Sequence, residues 1–229
     1  MPGFLNCPEA SVFGIKFPNP EQFLSCWTSL PEWAKSGLVS LMLSEGVPAA
    51  YLSNPLIFDQ VRRGLGSRLN IDPKQVTIVG SLRLGYSLGP PPRWGKPSSA
   101  SSDLDLAAIS HQLFDELCEA FNNWSAKVKA TGIPEGRSYR YWSENLRLLP
   151  DNISKGFIDP HFLPDDYRPA RRITDALKWL KFTLGSTPEQ TPPKEVSLRV
   201  YRDWDAFIRR VVLNLNWATS TPMETHKAK

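Results

Sequence analysis

The sequence predicts an α/β protein in which a small mixed β-sheet is flanked by N- and C-terminal helices. Two short apolar runs predict the sheet, Val76–Val79 and Leu104–Ile109, because their lengths are those of buried strands. Apolar residues at helical spacing precede and follow these runs, as in Ile57, Val61 and Leu65. A chain of 229 residues is long enough for one large domain or two small ones.

The helices before the sheet are predicted by their start signals. Asn19-Pro20-Glu21 and Asn54-Pro55 each place an asparagine at the N-cap and a proline at the first helical position. Pro31-Glu32-Trp33 opens another helix, with a glutamate whose charge suits the N-terminal end of the helix dipole. These segments define residues 1–70 as an N-terminal helical region that packs on the core.

The second half of the chain predicts further helices and one more strand. His111–Lys129 has an amphipathic helical pattern, and Phe157-Ile158 indicates a short strand. Val196–Tyr201 either alternates as a strand or leads straight into a helix that starts at Asp203. The predicted organisation is a core over residues 71–168, a C-terminal helical region over 169–217, and a disordered tail over 218–229.

Composition limits the classes of protein that are compatible with this chain. The apolar fraction is 41%, with eight Trp and eleven Phe, which indicates a folded globular protein. The formal net charge of +4 suits an anionic substrate such as a nucleotide or RNA. The three cysteines have no metal-ligand spacing, which is typical of reduced thiols. Because no long apolar run or signal-peptide pattern is visible, we expect a cytoplasmic protein with no membrane partner.

Two aspartates at the entrance of the second apolar run carry the main chemical signal. Asp103 and Asp105 are two residues apart, so on a strand they project from the same face, about 7 Å apart. Two carboxylates this close repel each other unless a cation lies between them or one is protonated. Mg²⁺ takes oxygen ligands and usually binds through one or two carboxylates together with substrate phosphates.

A Gly80-Ser81 pair ends the first apolar run. Glycine lets the backbone approach a ligand closely and adopt turns that are closed to other residues. If a helix begins at Ser81, its free N–H groups form an anion site, and the serine hydroxyl can donate to the same phosphate. A phosphate site beside a metal-binding carboxylate pair is the minimum equipment for phosphoryl or nucleotidyl transfer.

Gly80-Ser81 followed by Ser102-Asp103-Leu104-Asp105-Leu106 resembles the signature of the DNA polymerase β-like nucleotidyltransferase superfamily. The resemblance is closest to small prokaryotic members, some of which belong to toxin–antitoxin or phage-defence systems. It implies a nucleotidyltransferase core that uses Mg²⁺, or Mn²⁺, to move an NMP from an NTP to an acceptor hydroxyl. The acceptor it implies is RNA or tRNA, a protein or a small molecule, and the implied partners include a cognate antitoxin or other protein.

The resemblance also implies roles for individual residues. Asp103 and Asp105 are the expected metal ligands and catalytic residues, and Asp159 is the expected third carboxylate, supplied by a later strand of the same sheet. The expected nucleotide-binding residues are Gly80, Ser81, Arg83, Ser102 and Lys155. The insert Leu88–Ser101 is longer than in compact versions of the motif. We expect it to be a mobile loop near the site, not a buried element.

Three other interpretations of these residues remain open. Asp103 can simply cap a structural element while Asp105 is a solvated strand residue. A nucleotide-binding regulatory or partner-binding module can keep the fold without turnover, a possibility that depends on the uncertain third carboxylate. A basic RNA-binding protein is the remaining alternative, because Tyr139-Arg140-Tyr141-Trp142 combines aromatic rings with a cation.

Overall fold

The computed structural model describes residues 17–99, 102–133, 139–164, 167–187 and 192–220. Within these residues it contains eight α-helices and four strands, which confirms the predicted α/β class. Residues 218–220 of the predicted tail continue the last helix, and residues 221–229 lie outside the described residues. None of the described helices combines the length and apolarity that crossing a bilayer requires.

The last strand in the chain, Val196–Tyr201, lies inside the sheet between two earlier strands. A π-helical turn, Val39–Ser44, extends the second helix, and 3-10 turns occupy Ala49–Tyr51, Pro73–Gln75 and Pro160–Phe162. The helices and strands are α1 Pro20–Ser29, α2 Glu32–Leu38, α3 Pro55–Leu69, β1 Val76–Val79, α4 Ser81–Leu84, β2 Leu104–Ile109, α5 His111–Thr131, α6 Tyr139–Ser154, β3 Phe157–Ile158, α7 Arg168–Gly185, β4 Val196–Tyr201 and α8 Trp204–Ser220.

The predicted helix starts are confirmed, although their caps differ. The Asn19 side chain caps α1 by accepting a hydrogen bond from the Gln22 backbone N–H (2.8 Å). In return, the Asn19 backbone N–H donates to the Gln22 side-chain oxygen. Asn54 occupies the N-cap position of α3 without a side-chain capping bond. At the start of α8, the Asp203 carboxylate accepts a 2.7 Å bond from the Ala206 N–H.

The four strands form one mixed sheet in the order β1-β2-β4-β3. β1 pairs antiparallel with β2, β2 pairs parallel with β4, and β4 pairs antiparallel with β3. Asp105 therefore lies between β1 and β4, and β4 separates its strand from β3. A parallel neighbour requires a long crossover connection, and α5, α6 and α7 supply it before the chain returns as β4.

The two faces of the sheet are covered by different helices. Ile78, Leu106 and Leu198 point into one apolar cluster with side chains of α3, α5 and α7. Ala107 and Tyr201 point to the opposite face, where α1, α2 and α8 pack. Asp105 shares this second face by the strand alternation, and it lies at the end that the helices leave open. The fold thus places the carboxylates at an accessible edge of a packed layer.

The insert between α4 and β2 carries backbone hydrogen bonds and one aromatic contact with the core. The Ser87 N–H donates to the Lys96 carbonyl, and the Gly95 N–H donates to the Ser87 carbonyl, both at 2.9 Å. Trp94 is half-buried in the second cluster, with its ring 6.4 Å from that of Phe23. Residues 88–99 are all exposed or half-buried, as expected for a segment that is not a buried element, and its mobility stays a prediction. Ala100 and Ser101 lie outside the described residues.

Candidate functional site

Gly80 lies directly against the Asp105 carboxylate. The antiparallel register pairs Val79 with Asp105, so the chain turns at Gly80 just beside that side chain. The Gly80 backbone has φ +68° and ψ −157°, a conformation that is essentially restricted to glycine. A Cβ atom at this position would lie 2.6 Å from Oδ2 of Asp105. Backbone geometry and space therefore both require glycine here.

The two aspartates alternate with buried apolar residues. Asp103 is exposed and directly precedes β2, Leu104 is buried, and Asp105 is half-buried on the strand. Within the described residues, neither carboxylate makes an ion pair with a lysine or arginine.

Ser197 fixes one oxygen of Asp105. The parallel register of β4 places Ser197 opposite Asp105, and the serine hydroxyl donates a 2.7 Å hydrogen bond to Oδ1. Oδ2 is the oxygen that faces Gly80. The carboxylate is thus held between the turn after β1 and the strand β4, which limits the rotamers it can adopt.

Ser81 and Ser102 both precede the carboxylate pair in the chain, and Ser102 is directly next to Asp103. Ser81 opens α4, which is a single turn of four residues, so any phosphate contact here depends on local N–H and hydroxyl groups, not on a long helix dipole. The Ser102 hydroxyl accepts a 2.9 Å bond from the Ser99 N–H, and the Ser102 N–H donates to the Ser99 carbonyl at 3.0 Å. Ser102 therefore closes the turn that leads into β2.

Arg83 is a structural residue. Its side chain is buried and donates to the carbonyls of Met42 (3.1 Å) and Gly46 (3.0 Å). Burial lowers the pKa of its guanidinium to about 10, and the nearby charge of Glu45 opposes that change. This placement corrects the expectation that Arg83 binds phosphate, because its N–H groups tie α4 to the segment after the π-helical turn.

Asp159 also lies apart from the other two carboxylates. It follows β3, and it forms a two-point ion pair with Arg199 of β4, at 2.6 and 3.1 Å. Strands lie roughly 4.8 Å apart and advance about 3.3 Å per residue, so the register separates the Cα atoms of Asp159 and Asp105 by about 12 Å. Among the described residues, no three His, Cys, Asp or Glu side chains are grouped to hold a metal. The expected three-carboxylate set with Asp103 and Asp105 is thus not assembled.

Lys155 is remote from the site and has a different partner. It pairs with Asp151 at 2.6 Å, and both side chains are largely exposed. Phe157 pairs with Tyr201, which is four residues along β4 from Ser197, the residue opposite Asp105, or about 13 Å at roughly 3.3 Å per residue. Lys155 lies in the turn before β3, at that far end of the sheet. This position corrects the expectation that Lys155 contacts the triphosphate.

The carboxylates that remain as candidate metal ligands are Asp103 and Asp105. Mg²⁺ typically uses one or two carboxylates plus phosphate oxygens and water, which these two residues match in number and type. No protein-family model, curated protein or solved structure matches this chain. The interpretation of the site therefore depends on the geometry of these residues.

Ser197 and Arg199 are the residues near the site that sequence reasoning missed. The sequence feature that could have revealed them is the alternation of Val196, Leu198 and Val200. This pattern predicts a strand with Ser197 and Arg199 together on its other face. The pattern alone does not reveal which strand β4 pairs with. Only the parallel pairing with β2 brings Ser197 to Asp105.

Proposed function

We propose that this chain is a metal-dependent nucleotidyltransferase that moves an NMP from an NTP to an acceptor hydroxyl on RNA or tRNA, a protein or a small molecule. The observation that carries the proposal is the contact between Gly80 and Asp105. It joins the glycine–serine turn to the carboxylate pair, although the insert separates them in the sequence. A turn that only glycine can form, packed on a metal-type carboxylate, supports recognition of a metal-bound phosphate.

We assign a role to each residue from its position. The exposed backbone at Gly80 and the hydroxyl of Ser81 would contact the phosphate oxygens, while Asp103 and Asp105 would hold Mg²⁺ together with the triphosphate. Mg²⁺ supplies charge neutralisation at the reacting phosphate. The acceptor oxygen forms a bond to the α-phosphorus, the bond to the bridging oxygen breaks, pyrophosphate leaves, and the hydroxyl proton passes to solvent. Ser197 keeps Asp105 in its orientation.

The test is a transfer assay with purified protein. The protein is incubated with Mg²⁺, cell lysate and each α-phosphate-labelled NTP in turn, and the labelled macromolecule is identified. We expect Asp103→Asn and Asp105→Asn each to abolish labelling, because each removes one of two metal ligands while conserving side-chain shape. Asp175→Asn is the matched control, since Asp175 is an exposed aspartate on α7. Full labelling by both site variants would refute the proposal.

The second candidate is a nucleotide-binding module without turnover, and two contacts favour it. Asp159 is paired with Arg199 and is therefore not available as a third metal ligand. The residue opposite Asp105 on β4 is Ser197, a serine where a carboxylate could have been a further ligand. This candidate predicts Mg²⁺-dependent NTP binding by calorimetry with no labelled product for any NTP. Loss of binding in Asp105→Asn would show that the same site is used.

A further inference from the structure

Two arginines from different elements meet on one aromatic ring. The guanidinium carbon of Arg199, from β4, lies 5.2 Å from the centroid of Phe157, and that of Arg210, from α8, lies 4.8 Å from it. The ring belongs to the apolar cluster beneath α8 and offers each cation a weakly favourable face. Two guanidiniums around one ring nevertheless repel each other, so their placement requires compensation by anions.

The described residues compensate only one of these charges. Asp159 pairs with Arg199 through two hydrogen bonds, whereas no carboxylate in the described segments lies within ion-pair distance of Arg210. The Nε atom of Arg210 is buried and has no hydrogen-bond partner there. An unsatisfied buried donor on a charged group is unfavourable, so the charge of Arg210 lacks compensation within the described residues.

The pair lies on the same side of the sheet as the carboxylate site. Arg199 and Ser197 share a face of β4, about 7 Å apart at their Cα atoms, and Ser197 contacts Asp105. The Arg199 side chain is 34% exposed, and Arg210 is also partly exposed, so each has a part that solvent reaches. A group bound between them would be adjacent to whatever occupies the Gly80–Asp105 site.

We propose that Arg199 and Arg210 form a phosphate-ester site beside the nucleotide site. Guanidinium groups present planar, directional donors that match phosphate oxygens. Asp159 fixes the orientation of Arg199 through its Nε and Nη2 atoms, so a phosphate would accept from the other N–H groups of that guanidinium. The phosphate comes either from the nucleotide itself or from an acceptor strand. The site concerns binding only, and it stands whether or not the chain catalyses transfer.

The test compares two probes across three variants of the full chain. The probes are ATP with Mg²⁺ and a short fluorescent oligoribonucleotide with or without a 5′-phosphate, measured by fluorescence anisotropy or calorimetry. Arg210→Met removes the charge while keeping contact with Phe157, and Arg210→Lys keeps the charge without the planar donors. Arg209→Met is the matched control, because Arg209 is the exposed neighbour on α8.

We expect Arg210→Met to weaken binding of a phosphate-bearing probe by roughly tenfold or more, as for loss of a charge-assisted hydrogen bond. Arg210→Lys should lose part of that affinity, and Arg209→Met should lose little. Weaker ATP binding with unchanged oligonucleotide binding identifies the nucleotide as the source, and a loss confined to the 5′-phosphorylated oligonucleotide identifies the acceptor. Asp105→Asn should keep phosphorylated-oligonucleotide binding, which separates this site from the proposed transfer chemistry.

Two results would overturn the inference. If Arg210→Met and Arg210→Lys lower only the melting temperature and leave every affinity unchanged, the two arginines serve packing on Phe157. If Arg209→Met weakens binding as much as Arg210→Met, general positive charge on α8 explains the binding instead of a defined site.

Discussion

Replacing Gly80 with alanine tests the central contact of the site. The backbone at Gly80 lies in a region that costs a residue with a Cβ about 1–3 kcal/mol. The new Cβ would also lie 2.6 Å from Oδ2 of Asp105, which forces that carboxylate away from its preferred rotamer at a further cost of about 0.5–1.5 kcal/mol. Alanine also lowers the conformational entropy of the unfolded chain, which stabilises the folded protein by about 0.4–1 kcal/mol and partly offsets these costs.

The net expectation is that Gly80→Ala lowers the free energy of unfolding by about 1–3 kcal/mol. For a chain of this size, that change corresponds to a melting temperature lower by roughly 2–12 °C. Because the displaced carboxylate is a proposed metal ligand, Mg²⁺-dependent NTP affinity should fall as well. Differential scanning calorimetry and nucleotide titration measure the two effects on the same samples.

Gly37→Ala is the control for Gly80→Ala. Gly37 lies in α2 and is exposed, and a Cβ added to it would have no atom within 4 Å. Alanine there should stabilise the helix by about 0.5–1 kcal/mol and leave nucleotide binding unchanged. An Asp105→Ala background should reduce the penalty of Gly80→Ala, since it removes the carboxylate from the contact. A Gly80→Ala protein with wild-type stability and wild-type affinity would refute the reasoning.

Two further predictions concern residues that support the fold around the site. Arg83→Met should lower the free energy of unfolding by about 1–3 kcal/mol in urea titrations, because the Met42 and Gly46 carbonyls lose their donor, whereas exposed Arg140→Met should change it little. Asp203→Ala should cost about 1 kcal/mol at neutral pH through loss of the α8 cap. The Ala206 N–H and then Arg202 lower the pKa of Asp203 below its ordinary 3.8, so this stabilisation is present above pH 3.8 and is lost as pH falls below it. A wild-type-minus-variant difference that persists unchanged at pH 2 would contradict the second prediction.

Elements set by local periodicity could be predicted from the sequence. The start of α5 at His111 and the extent of α7 follow from apolar spacing over several turns, and β1 and β2 follow from short apolar runs with turn residues after them. α6 was missed, because the aromatic and charged residues at its start resemble a binding segment when considered alone. Its buried Leu149 becomes informative only once the helix packs on β3.

Placement of the site residues depended on contacts that are distant in sequence. Gly80, Asp103 and Asp105 could be found because one short motif holds them. Arg83 could not be assigned, because its burial depends on carbonyls freed at the end of a π-helical turn. The distance of Asp159 from the site could not be predicted either, because the order of strands in a sheet depends on how the crossover connections pack. The sequence places Asp159 directly after β3, but it does not show that β4 lies between β3 and β2.

The insertion of β4 beside β2 decides the electrostatic character of the site. A carboxylate at position 197 would face Asp105 across neighbouring strands and add a third negative charge to the pair. The serine instead donates to Oδ1, which adds no charge and fixes the orientation of the Asp105 carboxylate. Two residues further on, Arg199 places a guanidinium on the same face of β4, where Asp159 pairs with it. A phosphorylated ligand of the kind that we propose would therefore meet the carboxylate pair at one end of β4 and guanidinium donors further along the same strand.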